Sequence, residues 1–206
     1  MHRVTEEILA ANEWRDSEFA KLRTNQHGVD ERLWCRLCIP MIYAHWEGFV
    51  VTSLRILIEH LNKMDLATSA VQTRLVVIGL GDTFRTLSGK QSFDQRSAFI
   101  EKFRALLNSS LRIAKKIDTK SNLKSDVLLE ICGMYGFKFD RFADVTGDID
   151  RLVNIRNSIA HGENSFVLSQ ENVETYASAV VTAMDIFREE IDDFLDREAY
   201  LARCTA

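Results

Sequence analysis

The spacing of apolar side chains near the end of the chain is the strongest constraint on its fold. From about residue 170 to 202 they recur every three or four positions, as on the buried face of an α-helix. Ser169 stands immediately before this run, where a helix N-cap is expected. Such a helix has to cover its apolar face against other elements. Its predicted buried residues are Val173, Tyr176, Ala177, Val180, Val181, Met184, Phe187, Ile191, Phe194 and Leu195.

Composition indicates that those other elements are helices too. The 206 residues include one proline and nine glycines, and alternating β-branched residues are scarce. Because 46% of the residues are hydrophobic, the chain can bury a sizeable core without disulfides or a metal. We therefore expect an all-α bundle, formed by one domain over residues 1–206.

Two long helices are expected in the first third of the chain. The first covers about residues 3 to 25 and stops near His27 and Gly28. Asp30 is the expected N-cap of the second, which reaches Asn62 and is kinked at Pro40. The apolar side of this second helix is assigned to Leu33, Leu37, Met41, Phe49, Ile56 and Leu57.

Shorter helices are expected in the middle of the chain as an insertion. Breaks are predicted at Gly79, Gly81 and Gly89. Phe93 then lies on the outer side of an amphipathic helix, and a helix over 122–135 ends at Gly136. The inner side of the amphipathic helix is assigned to Phe99, Phe103, Leu106 and Leu107.

The formal net charge of −4 and a pI of about 5.8 exclude a general polyanion binder. The segment LRIAKKIDTKSNLK (111–124) is nevertheless basic and could hold phosphates. A solvated connector accounts for the same charges equally well. The cations, which face the single acid Asp118, are Arg112, Lys115, Lys116, Lys120 and Lys124.

The cysteines indicate a reducing compartment. Cys35 and Cys38 form a CxxC within an apolar helical pattern, and no second ligand pair stands at a spacing suited to zinc. Cys132 and Cys204 are isolated. We expect buried thiols in a soluble cytoplasmic protein, with no metal and no cofactor. The charged start, MHRVTEEILAANEW, gives no sign of a signal peptide.

The segment RLVNIRNSIAHGENSF (151–166) contains an arginine in an unusual place. Thr146 or Asp148 is the expected cap of its helix, which runs to His161 and ends at Gly162. Arg156 falls at the centre of an apolar stripe, although a guanidinium is rarely buried without a partner. The stripe consists of Ile149, Leu152, Val153, Ile159 and Ala160.

The opposite face of this helix is polar and carries Asp150, Asn154, Asn157 and His161. Asn157 precedes His161 by four residues, so its amide is close enough to orient the imidazole. A solvated face, with a histidine favoured by the helix C-terminal dipole, is the plainer interpretation.

The six residues RNSIAH form an R-x4-H motif with Asn directly after Arg, and this motif resembles the signature of HEPN-domain ribonucleases. The stretches MIYAHWEGFV (41–50) and SNL (121–123) are similar to the MAE-type branch of bacterial HEPN-like nucleases. The resemblance implies a HEPN-like helical bundle, with the insertion between the second long helix and the motif-bearing helix. It also implies a metal-independent endoribonuclease in which Arg156 and His161 are catalytic and Asn157 supports them.

Cleavage by the ribose 2′-hydroxyl needs a base, an acid and a cation for the charge on the phosphorane. Histidine can serve as acid or base near neutral pH, and arginine holds phosphate bidentately. One motif supplies one histidine, and Arg156 and His161 point about 140° apart on one helix. The resemblance implies a homodimer that brings two motifs into one cleft.

A toxin or anti-phage effector acting on RNA, with an antitoxin or defence-system partner, is the leading interpretation. The main alternative is a non-catalytic HEPN module that binds RNA or a protein partner, and a purely structural helical dimer is a third. Histidines outside the motif, His2, His27 and His60, are interpreted as surface or capping groups. Packing and buried hydrogen bonding are expected for His45, Trp46 and Glu47, and a cap or turn role for Asn122.

Overall fold

The computed structural model describes residues 1–24, 30–81 and 91–202, and within these ranges the regular structure is helical apart from two isolated β-bridges. The all-α prediction is therefore confirmed. The α-helices are α1 (Arg3–Thr24), α2 (Glu31–Lys63), α3 (Thr73–Leu80), α4 (Phe93–Leu107), α5 (Ser125–Tyr135), α6 (Ala143–Ala160) and α7 (Gln170–Asp196), with short 3-10 helices at Thr68–Ala70 and Phe139–Phe142.

Helix α2 is the centre of the bundle and packs against α1, α6 and α7. Its side chains Ile42, Trp46 and Leu57 are fully buried. By length and composition alone α2 could cross a membrane, but 56% of the relevant stretch is buried inside the protein, as in the core helix of a bundle. The predicted insertion, α3 to α5, lies between α2 and α6.

The N-caps of the two longest helices are confirmed. The Asp30 side chain accepts a hydrogen bond from the Leu33 amide, and α2 continues through Pro40 to Lys63. Ser169 and Asn172 form a reciprocal capping box at the start of α7. The predicted apolar face of α7 is buried apart from the half-buried Val181, but the helix ends at Asp196 rather than 202.

The predicted apolar side of α2 is wrong in its first half. Leu33, Leu37 and Met41 are 50%, 60% and 38% exposed. The core contacts of these turns come instead from Trp34 and Cys38, which lie on another side of the helix. The predicted burial is confirmed further along the helix, where Phe49 and Leu57 are in the core and Ile56 is partly buried against it.

Helices α3 and α4 differ from expectation for reasons of packing. Gly79 lies inside α3, where a Cβ would come within 3.1 Å of Leu111, and Gly81 ends the helix with a φ of 50°. Gly89 lies outside the described residues. Helix α4 contains no buried residue, so the inner side predicted from Phe99 to Leu107 is only half-buried, because α4 contacts the short helix Thr68–Ala70 rather than the main bundle.

The starts of α5 and α6 are set by tertiary contacts. Helix α5 begins at Ser125 rather than 122, where the Asp150 carboxylate accepts hydrogen bonds from the Ser125 amide and hydroxyl. Helix α6 begins at Ala143 directly after a 3-10 helix, so the predicted caps Thr146 and Asp148 are interior positions. The predicted helix end at Gly136 is confirmed, with a φ of 81°.

Three of the cysteines confirm the prediction of buried thiols. Cys35, Cys38 and Cys132 are free and buried. Burial raises the pKa of Cys38 and of Cys132 to about 12, which keeps both thiols protonated and unreactive. Cys204 lies outside the described residues, as does His27.

Candidate active site

The C-terminal end of α6 is a Schellman motif. The Glu163 amide donates to the carbonyl of Ser158 at 2.9 Å, and the Gly162 amide donates to that of Ile159 at 3.0 Å. Gly162 has a φ of 77°, as this cap requires, so the predicted role of this glycine is confirmed. The motif leaves His161 as an exposed C-cap residue.

The loop after the R-x4-H motif is fixed to the start of α2. Arg36 donates to the Glu163 carbonyl at 2.9 Å and to the Asn164 side chain at 3.2 Å. Arg32 donates to the same Asn164 oxygen at 2.9 Å. Two cations of α2 therefore hold the segment that follows His161, and they add positive charge beside the motif.

Arg156 lies at the edge of the core, half-buried, with partners in its own chain. Its guanidinium carbon is 3.9 Å from the ring centroid of Tyr43. Nη1 donates to Asn157 Oδ1 at 2.9 Å, and Nη2 donates to the carbonyl of Ser121 at 3.2 Å. The aromatic face and the carbonyl explain how a guanidinium sits on an apolar stripe.

The apolar stripe around Arg156 is partly as predicted. Ile149, Leu152 and Val153 are buried. Ile159 is half-buried and Ala160 is exposed, because the helix end rises out of the core toward its cap. Ile155, which the pattern did not include, is buried instead.

The contacts of Arg156 leave much of its hydrogen-bonding capacity open. The Nε–H and the second hydrogen of each terminal nitrogen have no partner among the described residues. A half-buried guanidinium that is held through Nη1 and Nη2 and keeps further N–H groups open is suited to donate hydrogen bonds to a phosphate. The prediction that Arg156 could serve as a phosphate-binding cation is compatible with this geometry.

Tyr43 also organises the connector that approaches Arg156. Its hydroxyl donates to Glu47 at 3.0 Å and accepts from the Leu123 amide at 3.1 Å. Thr119 donates to the same Glu47 oxygen at 2.5 Å, and the Trp46 indole donates to the Leu123 carbonyl at 3.2 Å. Burial raises the pKa of Tyr43 to about 12, so the hydroxyl stays protonated. Trp46 and Glu47 thus have the packing and hydrogen-bonding roles expected of them.

The connector makes a strained turn at this point. Lys120 and Ser121 have φ values of 55° and 49°, and the Asn122 amide donates to the Thr119 carbonyl at 3.0 Å. Positive φ at both central residues is the pattern of a type I′ turn, which usually contains glycine or asparagine there. The carbonyl of Ser121 is the one that accepts from Arg156. The predicted turn role of Asn122 is therefore confirmed.

Three residues of the polar face of α6 bind the connector and the start of α5, although Asn154 and His161 remain exposed. Lys124 donates to Asn154 at 2.5 Å, and the Asn157 amide nitrogen donates to Asn122 at 3.0 Å. The expectation that the Asn157 amide orients the His161 ring is not met, because among the described residues that amide bonds Arg156 and Asn122 and makes no hydrogen bond to the imidazole. What links the two residues is a backbone bond from the His161 amide to the Asn157 carbonyl.

His161 is the open member of the motif. Its imidazole is exposed and makes no hydrogen bond within the part of the chain that the structure describes. The structure thus brings Arg156, Asn157 and Asn122 into one hydrogen-bonded group and leaves His161 separate from that group.

The basic connector is largely neutralised by surface acids. Ion pairs join Arg112 to Asp65 at 2.5 Å and Lys115 to Glu59 at 2.8 Å. A third joins Lys120 to Glu130. This pairing favours the interpretation of a solvated connector over that of a phosphate-binding patch.

A second polar cluster lies between α1 and α2, and the sequence pattern missed it. Arg15 donates to Asn12 at 2.8 Å and to His45 Nδ1 at 3.3 Å, while His45 Nε2 is 3.2 Å from a Glu18 oxygen. Burial and the charge of Arg15 lower the pKa of His45. Gly48 is required beside this cluster, since a Cβ there would be 2.8 Å from Arg15 Nη2. Within AHWEG, His45 and Gly48 thus lie against Arg15, whereas Trp46 and Glu47 contact Tyr43 and the connector.

The remaining histidines have local contacts. His2 accepts from the Val4 amide at 3.1 Å, so its predicted capping role is confirmed, and its ring meets that of His60 at 5.1 Å. No group of three or more His, Cys, Asp or Glu side chains suited to a metal ion occurs among the described residues.

A helical bundle whose penultimate helix ends at the R-x4-H segment is the arrangement that the resemblance to HEPN domains implied. The family model described as RiboL-PSP-HEPN matches residues 10–193, which include Tyr43, Arg156 and His161. The chain belongs to this family. Assignment to the MAE-type branch stays a prediction. No match was found among curated proteins or among solved structures.

Proposed function

We propose that the protein is a metal-independent endoribonuclease. The observation that carries the proposal is the state of Arg156, which is fixed by Tyr43 and Ser121 while part of its guanidinium stays open. The same helix ends in an exposed histidine, His161. A pre-oriented cation and a titratable imidazole are the groups that cleavage by the 2′-hydroxyl requires.

The reaction is an in-line transesterification. The 2′-oxygen forms a bond to phosphorus as it loses its proton to a base, and the bond from phosphorus to the 5′-oxygen breaks as that oxygen gains a proton from an acid. The products carry a 2′,3′-cyclic phosphate and a 5′-hydroxyl. Arg156 stabilises the charge on the non-bridging oxygens, and His161 transfers a proton.

One chain supplies one motif histidine, so the second proton-transfer group comes from a two-fold copy of the chain. The exposed apolar stripe of α2, formed by Leu33, Leu37 and Met41, is the surface proposed for that contact. Arg36, which holds the loop after the motif, lies only about 60° around α2 from Leu33. A dimer across this stripe would therefore place two motifs near one interface.

The proposed biological role is that of a bacterial toxin or anti-phage effector acting on cytoplasmic RNA, controlled by an antitoxin or another defence-system protein. This role rests on the resemblance of the motif and its context to HEPN ribonucleases. The identity of the RNA is left to a panel of candidate substrates.

The test is cleavage of labelled transfer RNA and messenger RNA by purified protein in EDTA, with product ends identified chemically. We expect 2′,3′-cyclic phosphate ends, and His161→Ala should lose about a hundredfold or more in rate. His60→Ala, which alters a histidine outside the motif, is the control. Cleavage that depends on magnesium and leaves 5′-phosphates would exclude the mechanism.

The second candidate function is a non-catalytic HEPN module. It is favoured by the internal use of Asn157, whose amide is bonded to Arg156 and Asn122 rather than to the motif histidine. If the unaltered protein and His161→Ala bind RNA alike and neither cuts any member of the panel, this function replaces the enzyme.

A further inference from the structure

The side-chain amide of Asn122 has an orientation that follows from its neighbours. Arg156 carries only donors, so the Asn157 atom that it contacts at 2.9 Å is the amide oxygen. The Asn157 nitrogen is then the donor to Asn122 at 3.0 Å, which makes the contacting Asn122 atom its oxygen. Asn122 Nδ2 is left pointing away from this contact, without a hydrogen-bond partner among the described residues.

Asn122 is also held in an unusual backbone setting. It closes the turn whose central residues, Lys120 and Ser121, both have positive φ. Left-handed backbone at residues other than glycine costs about 1 to 3 kcal/mol each and clusters at functional sites. The neighbouring Leu123 is fixed on both sides of its peptide by Tyr43 and Trp46, so the turn cannot relax without breaking buried hydrogen bonds.

Asn122 is half-buried and therefore reachable from solvent. The Asn157 amide contacts both Arg156 Nη1 and Asn122 Oδ1, so a single side chain separates the Asn122 amide from the guanidinium. A neutral N–H donor next to a cation extends a phosphate-binding site, because each non-bridging oxygen accepts more than one hydrogen bond.

We propose that Asn122 Nδ2 is a second substrate-binding donor, which contacts an oxygen of the RNA phosphate held by Arg156. Asn157 acts as the positioning residue that turns the Asn122 amide toward the substrate. The inference rests on the proposed function for its substrate class, RNA, but it does not require that the RNA be cut.

The test uses a fluorescent 2′-O-methyl RNA, which lacks the attacking hydroxyl and so reports binding alone. Asn122→Asp keeps an oxygen for the Asn157 amide but replaces the donor by a carboxylate oxygen. We expect its Kd to rise about tenfold to a hundredfold, and that of Asn122→Ala to rise about tenfold. Asn154→Asp is the matched control, because it makes the same charge change on the polar face of α6 without altering the contacts among Asn122, Asn157 and Arg156, and its Kd should stay within about threefold.

Thermal unfolding of each variant shows whether the turn is retained, and cleavage of unmodified RNA is measured in parallel. A loss of binding confined to the Asn122 variants supports the inference, even where the unaltered protein cuts nothing and the proposed catalysis fails. Equal Kd values for Asn122→Asp and Asn154→Asp overturn the inference, whether or not RNA is cut. A protein that binds no RNA overturns both proposals.

Discussion

The ring of Tyr43 lies 3.9 Å from the guanidinium carbon of Arg156, and the hydroxyl of the same ring binds the Leu123 amide at 3.1 Å. One side chain of the central helix thus touches both the motif arginine and the connector. The ring faces a cation and the hydroxyl satisfies a buried amide, so loss of the whole side chain would affect both partners. The position of Arg156 is therefore coupled to the conformation of the connector.

Replacing Tyr43 separates these two contacts. Tyr43→Phe keeps the ring under Arg156 but leaves the Leu123 amide without its acceptor, so we expect a loss of about 1 to 3 kcal/mol in the free energy of unfolding. Urea denaturation measures it. Tyr135→Phe is the control, because the Tyr135 hydroxyl has no hydrogen bond within the described part of the chain, and it should cost less than about 1 kcal/mol. Equal losses in the two variants would contradict the assigned contacts.

Local chemistry explains what the sequence could predict. Asp30 and Ser169 cap helices through hydrogen bonds to amides three residues along, and Gly162 ends a helix through bonds within one turn. Such local roles can be predicted from the sequence without knowledge of the fold. The apolar face of α7 can also be predicted from the sequence, because that helix is buried along one side only. The motif arginine stood out because a cation interrupts an apolar stripe.

Long-range contacts explain what the sequence could not predict. Asn157 meets Asn122, which is 35 residues away, and Asp150 caps a helix 25 residues upstream. No local pattern encodes such partners. Periodicity places the exposed Leu37 and the half-buried Phe103 on apolar faces, but it does not show whether another element covers those faces.

Acid is expected to destabilise the protein through His45. Its pKa is lowered in the folded state by burial and by Arg15, so below about pH 6.5 the unfolded chain takes up a proton that the folded chain does not. Stability present above that pH is lost as the pH falls toward the folded-state pKa. His60 has a lowered pKa as well and contributes with the same sign. The measurement is Tm at pH 7.5 and pH 5.5 for the unaltered protein and for His45→Gln, and the variant should show the smaller difference.

Gly48 is expected to tolerate no side chain. A Cβ there would be 2.8 Å from Arg15 Nη2, and Arg15 cannot move aside easily because Asn12 and His45 hold it. Gly48→Ala should therefore lower the free energy of unfolding by about 1 to 3 kcal/mol. Gly147→Ala is the matched control in α6, where a Cβ would meet nothing within 4 Å, and it should stabilise by up to about 1 kcal/mol. A neutral Gly48→Ala would show that the Arg15 cluster adapts.

The contribution of the shape of the Arg156 side chain can be tested separately from that of its charge. Arg156→Lys keeps a positive charge and loses the planar group that stacks on Tyr43 and binds Ser121. On an RNA substrate we expect kcat/KM to fall about tenfold or more for Arg156→Lys, and further for Arg156→Ala. Arg151→Lys, at an exposed position of the same helix, is the control. A fully active Arg156→Lys would mean that charge alone is sufficient.

The dimer prediction depends on the exposed stripe of α2. Leu37 is 60% exposed at its middle, so Leu37→Glu should leave the fold intact while placing two like charges at a two-fold contact. Sedimentation should then show a monomer, and RNA cleavage should fall together with the dimer. Phe93→Glu is the control, because Phe93 is 75% exposed on α4, away from α2.

Mixing Arg156→Ala with His161→Ala subunits tests the same cleft: a heterodimer keeps one intact arginine and one intact histidine, and activity returns if that pair is sufficient. Full specific activity from a demonstrated monomer would exclude the shared cleft and leave the single motif of one chain to supply the whole site.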